Sequence, residues 1–232
     1  MKQGLTEAVF ILDRSGSMRG LESDTIGGFN SMIEKQRNEE GEVYISTVLF
    51  DDKSEVLYDR VPVKKIEPMT DKQYYVRGCT ALLDAIGGAI HHIANIHKYA
   101  REEDRPEKTL FMIITDGLEN ASCNYSYSKV KEMIEKEKND YGWEFLFLGA
   151  NIDAVGEAAK FGIDAKRAVN YNNDSVGTRR NYKVLAKTIS SLRKAKSKKE
   201  TDAIFEDARS EIAKDYMKRG KRGKRKKKIM EQ

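Results

Sequence analysis

The 232-residue sequence predicts an α/β fold: a doubly wound, mostly parallel open sheet with one antiparallel edge hairpin and helices on both faces. Three observations support this prediction. Apolar runs typical of strands buried on both faces alternate along the chain with stretches of helical periodicity. Two of these runs, at 8–12 and 109–115, are followed at once by an aspartate. The short polar connection at 51–53 is typical of an antiparallel hairpin.

The elements of the N-terminal half follow from the spacing of apolar residues. A first strand is predicted over 5–12. A helix follows and runs to about Asn38, with side chains suited to capping at 23–25. The two strands of the hairpin are predicted at 43–50 and 55–63.

In the C-terminal half, strands and helices alternate without a further hairpin. Such alternation predicts crossover connections and therefore parallel strands. The predicted strands are at 109–115, 143–148 and 167–171. The predicted helices are at 82–99, 126–138 and 154–161, with a last one capped by Asp174 that runs to about 195.

Composition divides the chain into a domain and an extension. We predict one domain over 1–195. At 196–232 we predict a helical segment that docks weakly or not at all, followed by a basic, disordered run. From residue 212 onward the net charge is +8, whereas the first 211 residues carry −3. The sequence therefore predicts a mildly acidic body with a basic tail.

The sequence also bears on location. No apolar run approaches the roughly 20 residues that a membrane-spanning helix needs, so no integral membrane segment is predicted. The first residues lack the long apolar region of a signal peptide. The two cysteines, Cys79 and Cys123, fit reduced thiols. We therefore expect a cytoplasmic protein.

Oxygen-bearing side chains cluster where the predicted strands end. Asp13, Ser15 and Ser17 stand at alternate positions directly after the first strand, and Asp116 directly follows the strand at 109–115. Thr80 lies in a turn before a helix. Because the carboxyl ends of parallel strands meet at one edge of a sheet, Asp13 and Asp116 are expected to lie at the same edge. Carboxylate and hydroxyl oxygens suit Mg²⁺.

In order and spacing, these segments resemble the metal-ion-dependent adhesion site (MIDAS) of von Willebrand factor type A domains. The resemblance covers roughly the first three quarters of the chain, and all five family positions are filled. It implies metal ligation by Ser15 and Ser17, and by Thr80 directly or through water. Asp13 and Asp116 would hold waters and hydroxyls in place.

The resemblance further implies Mg²⁺, or else Mn²⁺ or Ca²⁺, and a protein partner that supplies an Asp or Glu to the metal. The chain is similar to intracellular members of bacterial or phage type, which often serve as adaptors in multi-protein machines, some with AAA+ ATPases. The expected function is therefore a metal-dependent protein-binding adaptor and not an enzyme.

Other residues next to the predicted site are candidates for a partner-binding rim. Their simpler interpretation is ordinary turn, cap or surface chemistry, and the sequence leaves both open. These candidates are Arg14, Met18, Arg19, Asp51, Asp52, Glu119 and Asn120.

Two alternative functions use other features. The basic tail could bind DNA or RNA phosphates without reading sequence, or it could be only a solubilising segment. Its candidate residues are Lys218, Arg219, Lys221, Arg222, Lys224, Arg225, Lys226, Lys227 and Lys228. Metal-dependent phosphoryl transfer ranks third. The haloacid dehalogenase family places a second acid two residues after the first, where this chain has Ser15, and no P-loop motif is present.

Overall fold

The structure is a computed structural model that describes residues 1–230, with side chains through residue 219. Within that range one sheet has the strand order β3-β2-β1-β4-β5-β6. Strand β3 pairs antiparallel with β2, and the other neighbouring pairs are parallel. The doubly wound sheet with an antiparallel edge hairpin is thus confirmed. The strands are β1 (Lys2–Asp13), β2 (Glu42–Phe50), β3 (Ser54–Pro62), β4 (Pro106–Thr115), β5 (Glu144–Gly149) and β6 (Ala168–Asn170).

Six helices of the described residues cover the two faces of this sheet. Helices α2, α3 and α4 contribute to one buried apolar cluster, and α1, α5 and α6 contribute to the other. Strand order reverses between β1 and β4, which are neighbours in the sheet, and sheets of this kind bind ligands beyond the carboxyl ends of their strands at such a point. The helices are α1 (Glu22–Arg37), α2 (Leu82–Tyr99), α3 (Tyr127–Tyr141), α4 (Ala154–Lys160), α5 (Ser175–Lys194) and α6 (Lys198–Met230).

Strand β1 is central because its side chains are apolar toward both faces. Phe10 and Leu12 belong to the cluster under α1 and α5, whereas Val9 and Ile11 belong to the cluster under α2. Successive strand side chains alternate between faces, so an unbroken apolar run is what a strand covered on both sides requires. Asp13 is the last residue of β1 and directly follows this buried run, so it lies where the strand reaches the edge of the sheet.

The helix starts are only partly as predicted. The Asp174 side chain caps α5 by accepting a hydrogen bond from the Gly177 amide at 2.8 Å, which confirms the predicted cap. The capping predicted at 23–25 is wrong. Helix α1 begins one residue earlier, at Glu22, and its N-cap residue is Leu21, which makes no side-chain cap. Glu22 and Asp24 instead place negative charge in the first turn, where the helix dipole favours it.

Helix α6 corrects the expectation of weak docking. Phe205, Ala208 and Ile212 lie on one face of α6, are almost fully buried and belong to the apolar cluster that contains α5. The Arg167 guanidinium also stacks 4.1 Å from the centre of the Phe205 ring. The docked part of the extension is therefore continuous with the core of the domain. The disorder predicted for the basic run is wrong as far as Met230, because the backbone continues there as helix α6. The side chains after Arg219 lie outside the described part.

In the part of the chain that the structure describes, no helix combines the length and the apolar character needed to cross a membrane.

Candidate metal centre

The predicted metal residues meet at the edge of the sheet where β1 and β4 end. Asp13 is the last residue of β1, and a short 3-10 turn at Gly16–Met18 follows it. Asp116 directly follows β4, the parallel neighbour of β1. Hydrogen bonds join Asp13, Ser15, Ser17 and Asp116 into one cluster, as the sequence predicts.

Asp13 is buried, and internal hydrogen bonds occupy both of its carboxylate oxygens. Oδ1 accepts from the Ser15 amide at 2.7 Å, and Oδ2 accepts from the Thr115 hydroxyl at 2.6 Å. The Tyr74 hydroxyl donates to the Asp13 carbonyl at 2.5 Å. These bonds fix Asp13 as the residue that holds the loop in shape, which agrees with a supporting role beside a metal.

The two serine hydroxyls connect this loop to Asp116. Ser15 Oγ and Ser17 Oγ are 3.0 Å apart, and Ser17 donates to Asp116 Oδ1. Asp116 Oδ2 accepts from the side-chain amide of Asn173 at 2.7 Å. The hydroxyl groups therefore lie within reach of one another and of a carboxylate, as the hydroxyl ligands of one small cation would.

Thr80 approaches the same cluster from the loop before α2. Asn120 holds it by two hydrogen bonds, from the Thr80 amide to Asn120 Oδ1 at 2.9 Å and from the Asn120 amide to the Thr80 carbonyl at 3.0 Å. A Cβ on Gly117 would lie 3.3 Å from Thr80 Oγ1 and 3.5 Å from Ser17 Oγ. The Thr80 and Ser17 hydroxyls therefore both lie beside the space that a side chain at position 117 would occupy.

The charged forms of the Asp13 and Asp116 carboxyls are unfavourable in this cluster without a neutralising cation. Burial raises the pKa of Asp13, even though it accepts several hydrogen bonds. Burial, together with the nearby Asp13 charge, raises the pKa of Asp116 to about 6 against the opposing bonds from Ser17 and Asn173. Among the described residues, the hydrogen-bond partners of the two carboxylates are uncharged groups of Ser15, Thr115, Ser17 and Asn173. A divalent cation would supply the missing positive charge.

The donor set is one of hard oxygens. No group of three or more His, Cys, Asp or Glu side chains in the described residues is arranged to hold a metal. A metal at this edge would therefore depend on serine and threonine oxygens beside the two carboxylates. Such oxygen donors fit Mg²⁺, Mn²⁺ or Ca²⁺ by type.

The structure corrects three of the predicted rim residues. Arg14, Met18 and Asp51 are buried and cannot reach a partner. Arg14 Nε donates to Asp51 Oδ2 at 2.7 Å, and Arg77 Nε donates to the same oxygen at 2.8 Å. This buried ion pair ties the first metal loop to the hairpin turn, so these charges serve the fold of the rim.

The remaining rim residues divide by role. Glu119 is engaged internally, since its carboxylate accepts from the amides of Leu83 at 2.8 Å and Ser122 at 2.7 Å. It therefore caps the start of α2, which was the simpler interpretation. Asn120 is exposed but holds the Thr80 loop. Arg19 and Asp52 are exposed and stay candidates for partner contact.

Three residues of the site were not predicted from the sequence. Thr115 and Tyr74 bind Asp13, and Asn173 binds Asp116. Thr115 directly precedes Asp116 on a predicted strand, which was a usable signal. Asn173 lies after β6, at the same edge of the sheet, and the polar run 172–174 at a strand end was the available signal there.

Two residues of the predicted nucleic-acid tail have described side chains. Arg219 forms ion pairs with Asp174 and Asp215, so its charge is already neutralised within the domain. Lys218 is exposed. The side chains of the other seven candidates lie outside the described residues, and phosphate binding by them stays a prediction.

Comparisons with known proteins rest on structure. No protein-family model and no curated protein matches this sequence. Solved structures do match. One is proximal thread matrix protein 1 from the mussel byssus with a zinc-occupied MIDAS motif, at 16% identity and a TM-score of 0.54. That match covers 81% of this chain and 46% of the other, so this chain spans about half the length of the mussel protein.

Two bacterial structures give the same result. The vWF domain of the type V pili tip protein Mfa5 from Porphyromonas gingivalis matches at 12% identity and a TM-score of 0.57, over 83% of this chain and 97% of that one. A von Willebrand factor type A structure from Catenulispora acidiphila matches at 12% identity and a TM-score of 0.52, over 82% and 43%. At such identities the likeness concerns the fold. This chain has the fold of von Willebrand factor type A domains.

Proposed function

We propose that this chain is a protein-binding module that depends on a divalent metal held by Asp13, Ser15, Ser17, Thr80 and Asp116. The supporting observation is the joined cluster of two buried carboxylates and the Ser15 and Ser17 hydroxyls at the β1–β4 edge. The zinc-occupied MIDAS of the mussel protein supports a divalent metal on this fold. Mg²⁺ is our first choice because all the side-chain donors are oxygens.

The proposed roles follow from the hydrogen bonds. Ser15, Ser17 and Thr80 would turn their hydroxyl lone pairs toward the ion. Asp13 keeps both of its oxygens in internal bonds and maintains the loop, and Asp116 orients Ser17. Mg²⁺ prefers about six oxygen ligands, so positions remain for water and for a carboxylate from a partner.

The surroundings of the site favour an acidic partner with apolar neighbours. Arg19, on the first metal loop, is exposed and carries positive charge. Leu118, two residues after Asp116, is 55% exposed, and Val176, three residues after Asn173, is 52% exposed. A metal-bound Asp or Glu on a partner would therefore have exposed apolar side chains of this chain near it. An adaptor role, an AAA+ ATPase as partner and a cytoplasmic location remain predictions from the sequence.

The test is metal-dependent capture with the full chain as bait. Immobilised wild type is compared with Ser17→Ala in native lysate containing Mg²⁺, EDTA, or EDTA followed by excess Mg²⁺. We expect a partner that is retained with Mg²⁺, lost with EDTA, regained with excess Mg²⁺, and absent from the Ser17→Ala bait. A partner retained equally in EDTA, or equally by both baits, would contradict metal-dependent binding.

A further inference from the structure

A short loop, 172–174, connects the metal centre to the C-terminal helix. Its middle residue, Asn173, donates to Asp116 Oδ2 at 2.7 Å. The donor is the amide nitrogen Nδ2, whereas the amide oxygen Oδ1 is buried and has no hydrogen-bond partner among the described residues, so Asp116 is the side chain that holds Asn173 on this side. The position of this loop therefore decides which way one metal-site carboxylate is turned.

Helix α6 holds both flanks of that loop. Asn172 Nδ2 donates to Asp215 Oδ2 at 3.3 Å, and Arg219 pairs with Asp174. Arg219 Nε also donates to Asp215 Oδ2 at 2.9 Å, so the two α6 residues support each other. Each neighbour of Asn173 is thus fixed by a charged side chain of α6.

The start of α5 closes the loop from the other side. The Asp174 carboxylate caps α5 through the Gly177 amide at 2.8 Å. A Cβ on Gly177 would lie 2.0 Å from the carbonyl oxygen of Asn172, so the loop packs directly on the helix backbone. Asn173 consequently has little freedom while α6 stays in place.

We propose that Asn173 is a positioning residue of the metal centre and that Asp215 and Arg219 of α6 keep it in position, which couples the C-terminal helix to metal affinity. This inference rests on the proposed function. The reason is geometric: fixing Asp116 Oδ2 on Asn173 leaves Oδ1 directed at Ser17, whose hydroxyl would hold the ion. Residues that orient metal ligands in this way typically change affinity by about 10–100-fold when removed.

The coupling is separate from the docking of α6. Its apolar anchors, Phe205, Ala208 and Ile212, precede Arg219 along the helix, with Ile212 about two turns away. Removing the Arg219 side chain therefore leaves the docked face of α6 intact. Because binding linkage is reciprocal, metal binding should in turn strengthen the hold of α6 on the loop.

The test measures Mn²⁺ affinity by isothermal titration on full-length wild type, Asn173→Ala and Arg219→Ala. The matched control is Arg209→Ala, which removes an α6 arginine that pairs with Glu206 on the same helix. We expect Asn173→Ala to weaken Mn²⁺ binding about tenfold or more, Arg219→Ala to weaken it several-fold, and Arg209→Ala to leave it unchanged. Melting temperatures in EDTA show whether each variant is folded when it is titrated.

Hydrogen exchange supplies a readout that does not depend on the titration. Mn²⁺ should slow amide exchange at 172–177 in wild type and in Arg209→Ala, and much less in Arg219→Ala. If wild type binds Mn²⁺ and both Asn173→Ala and Arg219→Ala bind it equally well, the coupling is overturned and the proposed function stands. If wild type binds no metal, the proposed function is overturned and the coupling with it.

Discussion

At the scale of single residues, the Arg14–Asp51 pair shows how much of the rim is structural. Arg14 lies fully buried between Asp51, Glu55 and the ring of Tyr75. Burying a guanidinium is costly unless a carboxylate accompanies it, so the hairpin turn is held to the first metal loop. Charged residues beside a predicted site are therefore not all available to a partner.

Replacing Asp51 should destabilise the fold. Asp51→Asn leaves the buried Arg14 guanidinium with only the half-exposed Glu55 as a carboxylate partner. We expect the free energy of unfolding to fall by about 3 kcal/mol, as is typical when one partner of a buried pair is removed. Urea unfolding in EDTA measures this loss. Asp71→Asn, in an exposed loop, is the control and should change stability by less than about 0.5 kcal/mol. An equal effect of both substitutions would contradict a buried, stabilising pair.

The same pair predicts an acid dependence. Burial opposes the charged form of Asp51, but hydrogen bonds involving Arg77, Asp52 and Arg14 outweigh it and lower its pKa to about 2. A carboxyl whose folded-state pKa lies below its ordinary value stabilises the fold above that value. The contribution is lost as pH falls from about 4 to about 2. We expect wild-type stability to fall more steeply than that of Asp51→Asn in this window, measured by urea unfolding at successive pH values. Parallel curves would show that Asp51 contributes nothing.

The residue scale also shows what a sequence can predict of a site. Asp13 and Asp116 follow directly from strand ends, because buried apolar runs fix where each strand delivers its next side chain. Asn173 does not follow, since its contact with Asp116 spans 57 positions and depends on a loop closed by α6. The burial of Arg14 could not be predicted either, because its partner Asp51 lies in the turn between β2 and β3.

At the scale of elements, α1 and α5 meet through a glycine. A Cβ on Gly28 would lie 2.4 Å from Cδ2 of the buried Tyr182 ring, whereas a Cβ on the adjacent Gly27 meets nothing within 4 Å. The two helices therefore approach each other as closely as they do because position 28 has no side chain. Tyr182 belongs to the apolar cluster on this face of the sheet.

This neighbouring pair gives a matched test. Gly28→Ala should lower the free energy of unfolding by about 1–3 kcal/mol. The new methyl group would overlap the part of the Tyr182 ring nearest its Cβ, where rotation of the ring does not relieve the overlap. Gly27→Ala should raise it by about 0.5–1 kcal/mol, since alanine is the better helix former and meets no neighbour. Chemical denaturation of both variants measures the difference. Equal effects would contradict the close packing of α1 on α5.

Helix α6 marks the limit of prediction at this scale. Its apolar spacing was visible in the sequence, but a short apolar face on a highly charged segment does not reveal whether it packs on anything. The partner surface, made by α5, β6 and the turn at Ala165–Arg167, exists only once the sheet has formed. Docking is a tertiary property, so it could not be predicted from local pattern.

At the scale of the whole molecule, the same order of apolar strands and crossover helices determines both the sheet and the position of the site. Apolar runs on both sides of each central strand require helices on both faces, and crossover helices make those strands parallel. Parallel strands then end at one edge, and β1 and β4 lie where the strand order reverses. The overall fold and the meeting of Asp13 with Asp116 were therefore predictable together from the order of the elements.

The central claim is that this edge binds a single divalent cation through serine and threonine oxygens. Isothermal titration of the metal-free full chain with Mn²⁺ tests it most directly, in wild type, Ser15→Ala and Ser17→Ala. Ser23→Ala, an exposed serine on α1, is the control. We predict one saturable site in wild type and in Ser23→Ala, with affinity reduced at least about tenfold in the other two. Absence of saturable binding in wild type, or equal binding by all four proteins, would contradict the claim.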